Sequence, residues 1–264
     1  MATGILVPIL LLVLVSSTAK SAEETYSFSY KKFEHDQPDL IFQGDATVSK
    51  EGKLALTKLD QNELPAPGST GRVLHKSPIH VHDGHNAASW STFFTFIINV
   101  PVKNDSADGL AFFLAPVGSE PQSPAGYLGL FNDPKADKDL QTVAVELDTY
   151  SNDWDPQNRH IGIDVNSPRS IKAASWGLAN GQVGTVLVTY TPSTKLLVAS
   201  LVHPSRRTSY IVSEIVDLPR VLPEYVQIGF SATTGEIKVE SHDILSWSFT
   251  STFSDTDTEP HLAM

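Results

Sequence analysis

Glu146 and Asp148 stand two positions apart in the run Val143-Ala-Val-Glu-Leu-Asp148. Read as a strand, this run turns both carboxylates to one face and leaves Val145 and Leu147 on the other. Carboxylates held side by side repel, and either a shared proton or a bound cation must neutralise them. The residues that follow favour the cation. Asn152 and Asp155 add hard oxygen donors from a loop, and His160 adds one imidazole as the chain re-enters a strand at Ile161. Hard oxygens suit calcium, whereas carboxylates joined by a histidine suit a transition ion such as manganese. Residues 143–166 therefore read as a two-ion loop. Asp153 and Asp164 are acidic neighbours without a ligand role, expected to be solvated or to support the ligands.

The elements that must position this loop are strands. Apolar alternation of period two recurs over Ser27–Phe33, Leu54–Leu59, Ser89–Val100, Gly109–Leu114, Ile161–Val165, Val183–Thr191, Leu196–Val202, Tyr210–Val216, Val226–Ser231 and Leu245–Phe249. Pro65-Ala-Pro-Gly68, Gly118–Pro124 and Asn180-Gly181 supply turns between them. In Phe93–Ile98 both faces are largely apolar, which predicts a strand buried between layers. The pattern is that of a sheet packed on a sheet. With 264 residues and 41% hydrophobic content, the chain can enclose one large core, and neither a repeat nor a linker divides it.

Composition excludes several classes. Zero cysteines rule out a disulfide scaffold, thiolate catalysis and thiolate zinc sites. A formal charge of −11 without a basic run argues against a nucleic-acid partner. Residues 1–21 read as a secretory signal peptide, with a short apolar stretch from Ile5 to Val15 followed by small residues. That stretch is too short to span a bilayer comfortably and no second one follows, so a secreted or vacuolar protein without a membrane span is expected. Residues 253–264 form an acidic tail, including Asp255-Thr-Asp-Thr-Glu259, expected to be solvated and a site of trimming.

The segment Val143–Thr149 resembles the metal-loop strand signature of the legume lectins, and Leu222-Pro-Glu-Tyr-Val-Gln-Ile-Gly-Phe-Ser231 resembles their second signature. The likeness extends from about Thr25 to Phe249, through Gln43–Thr47, Ala107–Phe113, Gly126–Phe131 and Leu245–Phe249. It implies an all-β fold: an antiparallel β-sandwich of the jelly-roll, concanavalin A-like kind, with the lectin domain over 22–252. By the same resemblance, Glu146, Asp148, Asp155 and His160 match the manganese ligands. Asp148, Tyr150 through its carbonyl, Asn152 and Asp155 match the calcium ligands. No ligand position is missing, which sets the chain apart from the arcelins and amylase inhibitors that lost metal and sugar binding.

The resemblance also implies a sugar site. Asp108 would accept from two neighbouring sugar hydroxyls, and Gly109 would allow the metal loop to approach the backbone. Ala107–Asp108 is expected to be a cis peptide. Gly126 would offer a backbone N–H, Asn152 its amide nitrogen, and Tyr150 its ring as an apolar platform. Gly235 and Glu236, in the loop after the second signature, complete the expected set. The segment Glu236–Ser241 is intermediate in length between mannose/glucose members and many galactose/N-acetylgalactosamine members, and the reading leans to the latter. Glycans of glycoproteins or glycolipids are the expected partners, bound by a homodimer or homotetramer with a defence or storage role.

Three other readings compete. A sandwich glycoside hydrolase could use Glu146 and Asp148 as its carboxylate pair, since a retaining pair sits ~5 Å apart. The strand offers no third acid in register, however, and the pair would be consumed by metal, so an enzyme is not expected. The second is a mannose/glucose lectin, and the third an inert seed storage relative. His80 and His82 share a strand face, but no carboxylate or cysteine is fixed beside them in sequence, and packing is the better account. Asn104-Asp-Ser106 is an acceptable N-glycosylation sequon.

Overall fold

The computed structural model describes residues 23–102 and 105–254. The expected signal peptide, Asn104 and residues 255–264 lie outside them. Among the described residues no helix is long and apolar enough to cross a membrane.

Two eight-stranded antiparallel sheets are formed by the described residues. The first carries the acidic loop, and its order is Lys172–Ser175, His160–Val165, Val143–Asp148, Asp108–Pro116, Tyr225–Thr234, Thr70–His75 and Leu40–Gly44, with Ile79–His80 also on Tyr225–Thr234. The second runs Thr208–Ile215, Leu196–His203, Gly184–Thr191, Ser89–Asn99, Ser241–Ser254, Leu54–Ala55 and Thr47–Val48, with Glu23–Tyr30 also on Ser241–Ser254. The expected sandwich is therefore present. The last strand is longer than the sequence suggests, because a bulge between Ile244 and Ser246 lets the pairing with Ser89–Asn99 continue. It reaches Ser254, and Phe253 is only 8% exposed, so the strand extends past residue 252 into the expected tail.

Alternation decides what each sheet buries. Val143, Val145 and Leu147 face the main core between the sheets, where Phe230 meets Phe94 edge-on at 4.9 Å and Trp247 at 4.8 Å. Ala144 joins a second apolar cluster on the opposite face, with Phe113, Leu128 and Phe131. The first sheet is thus covered on both sides, and Asp108–Ala115 and Val143–Asp148 are buried at every position. Double burial was expected instead for Phe93–Ile98, and there the structure differs: Phe93 is 43% exposed. Nothing among the described residues covers the outer face of the second sheet at that point, so its alternate residues meet solvent.

Candidate functional site

Strand pairing assembles the acidic cluster. His160–Val165 folds back on Val143–Asp148 so that His160 stands opposite Asp148 and Gly162 opposite Glu146. Gly162 has no room for a side chain: a Cβ there would lie 1.9 Å from Ser170 Oγ and 2.6 Å from Glu146 Oε1. Ligand atoms of Glu146, Asp148 and His160 all fall within 4.8 Å of one another, and all three residues are buried. Glu146 Oε1 lies 2.8 Å from His160 Nε2 and accepts from Ser170 Oγ at 2.5 Å. Ser170 also reaches Asp164 Oδ1 at 2.8 Å. Asp164 is fully buried and joined through Ser170 to Glu146, the supporting role of the two expected for it, whereas Asp153 is exposed.

Asn152 and Asp155 sit outside that triad, on a turn they close themselves. Asn152 N–H donates to Asp155 Oδ2 at 2.8 Å, and Asp155 N–H donates to the Asn152 carbonyl at 3.1 Å. Asp148 Oδ1, Asn152 Oδ1 and Asp155 Oδ1 are buried without a hydrogen-bond partner. Buried oxygens in that state are costly, and together they fit a hard cation. The electrostatics agree. Burial, then the charges of Glu146, Asp155 and Asp108, push the Asp148 carboxyl far above the ordinary range. Burial lifts Asp155 to about 6 despite the Asn152 N–H. On His160 burial opposes a proton, but the hydrogen bond and charge of Glu146 outweigh it and raise the ring's pKa.

A cavity of about 320 Å³ opens beside this cluster, lined by Asp108, Tyr150, Asn152, Gly235, Glu236 and neighbours. Asp108 enters it from a cis Ala107–Asp108 peptide, as the resemblance implies, and is 4% exposed with Oδ2 unpartnered. Burial, then the charge of Glu240, raises its carboxyl to about 7 against an opposing effect of His242. Gly109, at φ +153°, lets two segments touch: a Cβ there would lie 2.7 Å from the Leu147 carbonyl oxygen.

Gly126 is buried just behind the cavity, where its neighbour Ala125 lines the wall. Tyr150 is half-exposed, but its ring is not bare, because Lys238 Nζ sits 5.0 Å from the centroid. Gly235 packs against Asp108, and Glu236 is exposed on the rim beside Ile237. Glu146 and Asp148 do not line the cavity, which leaves the hydrolase pairing without access to a substrate there.

Sequence reasoning missed Glu240, Thr149, Ser170 and Trp176, each of which touches a site residue or its immediate neighbour, and His242, which touches Glu240. Trp176 Nε1, for example, donates to the Asp148 carbonyl at 3.1 Å. His82, conversely, is structural: Gly84 N–H donates to its Nδ1 at 3.0 Å, and its Nε2 is 2.9 Å from the Leu222 carbonyl. His80 lies 3.6 Å from Glu224 and 3.9 Å from Glu24, exposed carboxylates brought beside it from distant positions in the chain.

Comparison with known proteins places these features in context. The family model described as Legume lectin domain matches residues 25–263. Lectin DB58 of Vigna unguiculata subsp. cylindrica is 56% identical over 266 residues, covering 98% of this chain and 96% of that relative. Winged bean acidic lectin complexed with methyl-α-D-galactose superposes with a TM-score of 0.81 at 44% identity, over 86% of this chain and 98% of that one. Lectin I from Ulex europaeus, in complex with the methyl glycoside of α-L-fucose, gives 0.82 at 43% identity, with the same coverage of 86% and 98%.

Proposed function

The chain belongs to the legume lectin family, and from that premise we propose that it binds glycans reversibly at the Asp108 cavity in a calcium- and manganese-dependent manner. The family function is carbohydrate binding, and the relatives it matches are lectins rather than enzymes. What carries the metal-dependent reading is the row of buried oxygens without partners on Asp148, Asn152 and Asp155, next to the unpartnered Oδ2 of Asp108.

Glu146, Asp148, Asp155 and His160 would hold manganese, and Asp148, the Tyr150 carbonyl, Asn152 and Asp155 would hold calcium. When bound, such cations supply the positive charge that the crowded acids lack. Asp108 accepts from two vicinal sugar hydroxyls, and Asn152 presents its amide to the same ligand. Gly126 and Gly235 offer main-chain N–H groups. Glu236 closes the rim, and Tyr150 gives the edge of its ring that Lys238 leaves open.

Galactose or N-acetylgalactosamine is the preferred sugar in this reading. The length of Glu236–Ser241 does not decide between the classes, but the resemblance of the rest of the chain to galactose-binding members and the galactoside bound by the winged bean relative support it. Each shallow contact is weak, so two sites on one dimer or tetramer would raise avidity ~10²-fold or more. Passage through the secretory pathway to the exterior or a vacuole, a glycan on Asn104 and a defence or storage role complete the proposal.

The test is a glycan panel probed with mature protein before metal stripping, after it, and after calcium plus manganese are restored. Metal-reversible binding to galactosides supports the reading. Binding only to fucosides or mannosides replaces the sugar class, and no binding in the metal-loaded state refutes it.

A further inference from the structure

A second acid comes up behind the cavity from the start of the last strand. Glu240 and His242 are both 0% exposed. Glu240 Oε1 accepts from Thr149 Oγ1 at 2.5 Å and lies 2.9 Å from His242 Nε2. On the far side of the ring, Nδ1 is 3.1 Å from Thr57 Oγ1, and that same oxygen accepts from His242 N–H at 3.2 Å. One tautomer satisfies the whole chain: Nε2–H donates to Glu240, and the Thr57 hydroxyl donates to Nδ1.

Thr149 is the residue this network grips, and it is also the one that pins Asp108. Its N–H donates to the Asp108 carbonyl at 3.0 Å, and its own carbonyl accepts from Ser106 Oγ at 3.1 Å. The pairing of Gly109 with Asp148 ends there, so no further ladder bond fixes the turn into the cavity from this side. Glu240 Oε2 remains buried without a partner. Packing alone gives no reason for an ionisable pair at this depth, since an apolar pair of similar volume is often as stable or more so. A geometric role for the pair accounts for its position.

We propose that Glu240 is a positioning residue for the sugar acceptor: acting through Thr149, it fixes the Asp108 main chain and so aims the Asp108 carboxylate into the cavity, while His242 holds Glu240 in that orientation. The inference rests on the reading of Asp108 as the sugar acceptor. It predicts that the Thr149 hydroxyl matters to sugar affinity although it touches no sugar.

Titration calorimetry with methyl-α-D-galactoside, or with the monosaccharide that the panel ranks first, tests it in saturating calcium and manganese. Metal affinity and melting temperature are measured alongside. Thr149→Val, which removes only the hydroxyl, is expected to weaken sugar binding ~10-fold, as loss of one charge-assisted hydrogen bond would. Thr149→Ser restores the affinity to within about 2-fold of the wild type. Glu240→Gln weakens binding by a similar factor, and the double variant with Thr149→Val is no worse than either single change, because both cut the same link. Metal affinity stays within about 2-fold of the wild type throughout.

Variants that melt earlier yet keep their sugar affinity would reduce Glu240 to a structural residue and overturn the proposal. So would losses that simply add, or a fall in metal affinity that tracks the fall in sugar affinity. If Glu240→Gln does not fold, the Thr149 pair of variants still decides the matter. Wild-type protein that binds no monosaccharide when metal-loaded refutes the lectin-site reading itself, and the positioning role falls with it. Wild-type binding matched by every variant refutes the positioning role alone.

Discussion

A methyl group at Gly126 provides a sharp test of how the cavity and the acidic loop are joined. A Cβ built there lies 2.3 Å from Asn152 Oδ1 and 2.7 Å from both Cγ and Nδ2. Ordinary contact needs about 3.4 Å, so the Asn152 amide must retreat by roughly 1 Å, and as the end of a flexible side chain it can do so without unfolding the sandwich. Gly126→Ala should therefore cost little stability but should misplace the one side chain assigned both to calcium and to the sugar. Losing a hydrogen bond in a charged setting costs about 1.5–3 kcal/mol, or ~10- to 150-fold in affinity. Calorimetry with a galactoside and, separately, calcium titration of stripped protein would read the two effects. In an Asn152→Ala background the same Gly126→Ala change should cost almost nothing more. A single variant with undiminished affinity, or a full further loss in the Asn152→Ala background, would refute the argument.

Three further expectations concern charge. Asp108→Asn keeps the shape of the cavity but trades one acceptor oxygen for a donor, and it should lower sugar affinity by ~100-fold or more while the melting temperature of the metal-loaded protein holds; calorimetry beside a thermal melt checks both. Asp148→Asn should abolish cation-dependent stabilisation yet make the metal-free protein more stable at pH 8 by about 1–3 kcal/mol, because it removes a carboxyl that burial and the charges of Glu146, Asp155 and Asp108 force to take up a proton on folding at that pH. Denaturant melts of stripped protein would show it. The third is a pH profile. Asp155 and Asp108 are raised to about 6 and about 7 in the folded, metal-free chain. A raised carboxyl contributes stability that is full below the unfolded pKa near 4 and lost as pH climbs through the folded value. Metal-free protein should thus lose stability between about pH 4 and 7, and saturating calcium should flatten that slope; a stripped protein that grows more stable across this window would contradict the assignment.

The acidic cluster was readable because it is local. Period two puts Glu146 and Asp148 on one face, and the hairpin back through His160 closes the group within one short stretch of chain. Glu240, Thr57 and Ser170 were not readable in the same way. Ser170 reaches Glu146 by loop packing, Glu240 reaches Thr149 beside the cluster and Thr57 reaches only His242 behind it, and an ordinary Glu, Thr or Ser carries no local pattern that marks it. Thr70–His75 escaped notice for a different reason. Gly71 and Arg72 weaken its strand pattern, yet Gly71 is there because a Cβ would lie 1.9 Å from the Leu56 carbonyl oxygen, and Arg72 is buried over the Phe113 ring. The double burial expected for Phe93–Ile98 fell instead on Asp108–Ala115 and Val143–Asp148, since an apolar run does not reveal which sheet receives the second cover.

The cavity is bounded by Asp108 on one strand, whose pairing partner is Thr234 on another, and by the Tyr150–Asn152 stretch that leaves a third. No fragment short of these three adjacent strands at the centre of the first sheet contains it. Occupancy of the cavity is consequently thermodynamically inseparable from the sandwich. A ligand at 100 times its dissociation constant should add about 2.7 kcal/mol to global unfolding, and it should slow hydrogen exchange at amides deep in the core as much as at the rim. A glycan held at the edge would register throughout the protein as reduced opening of the entire fold.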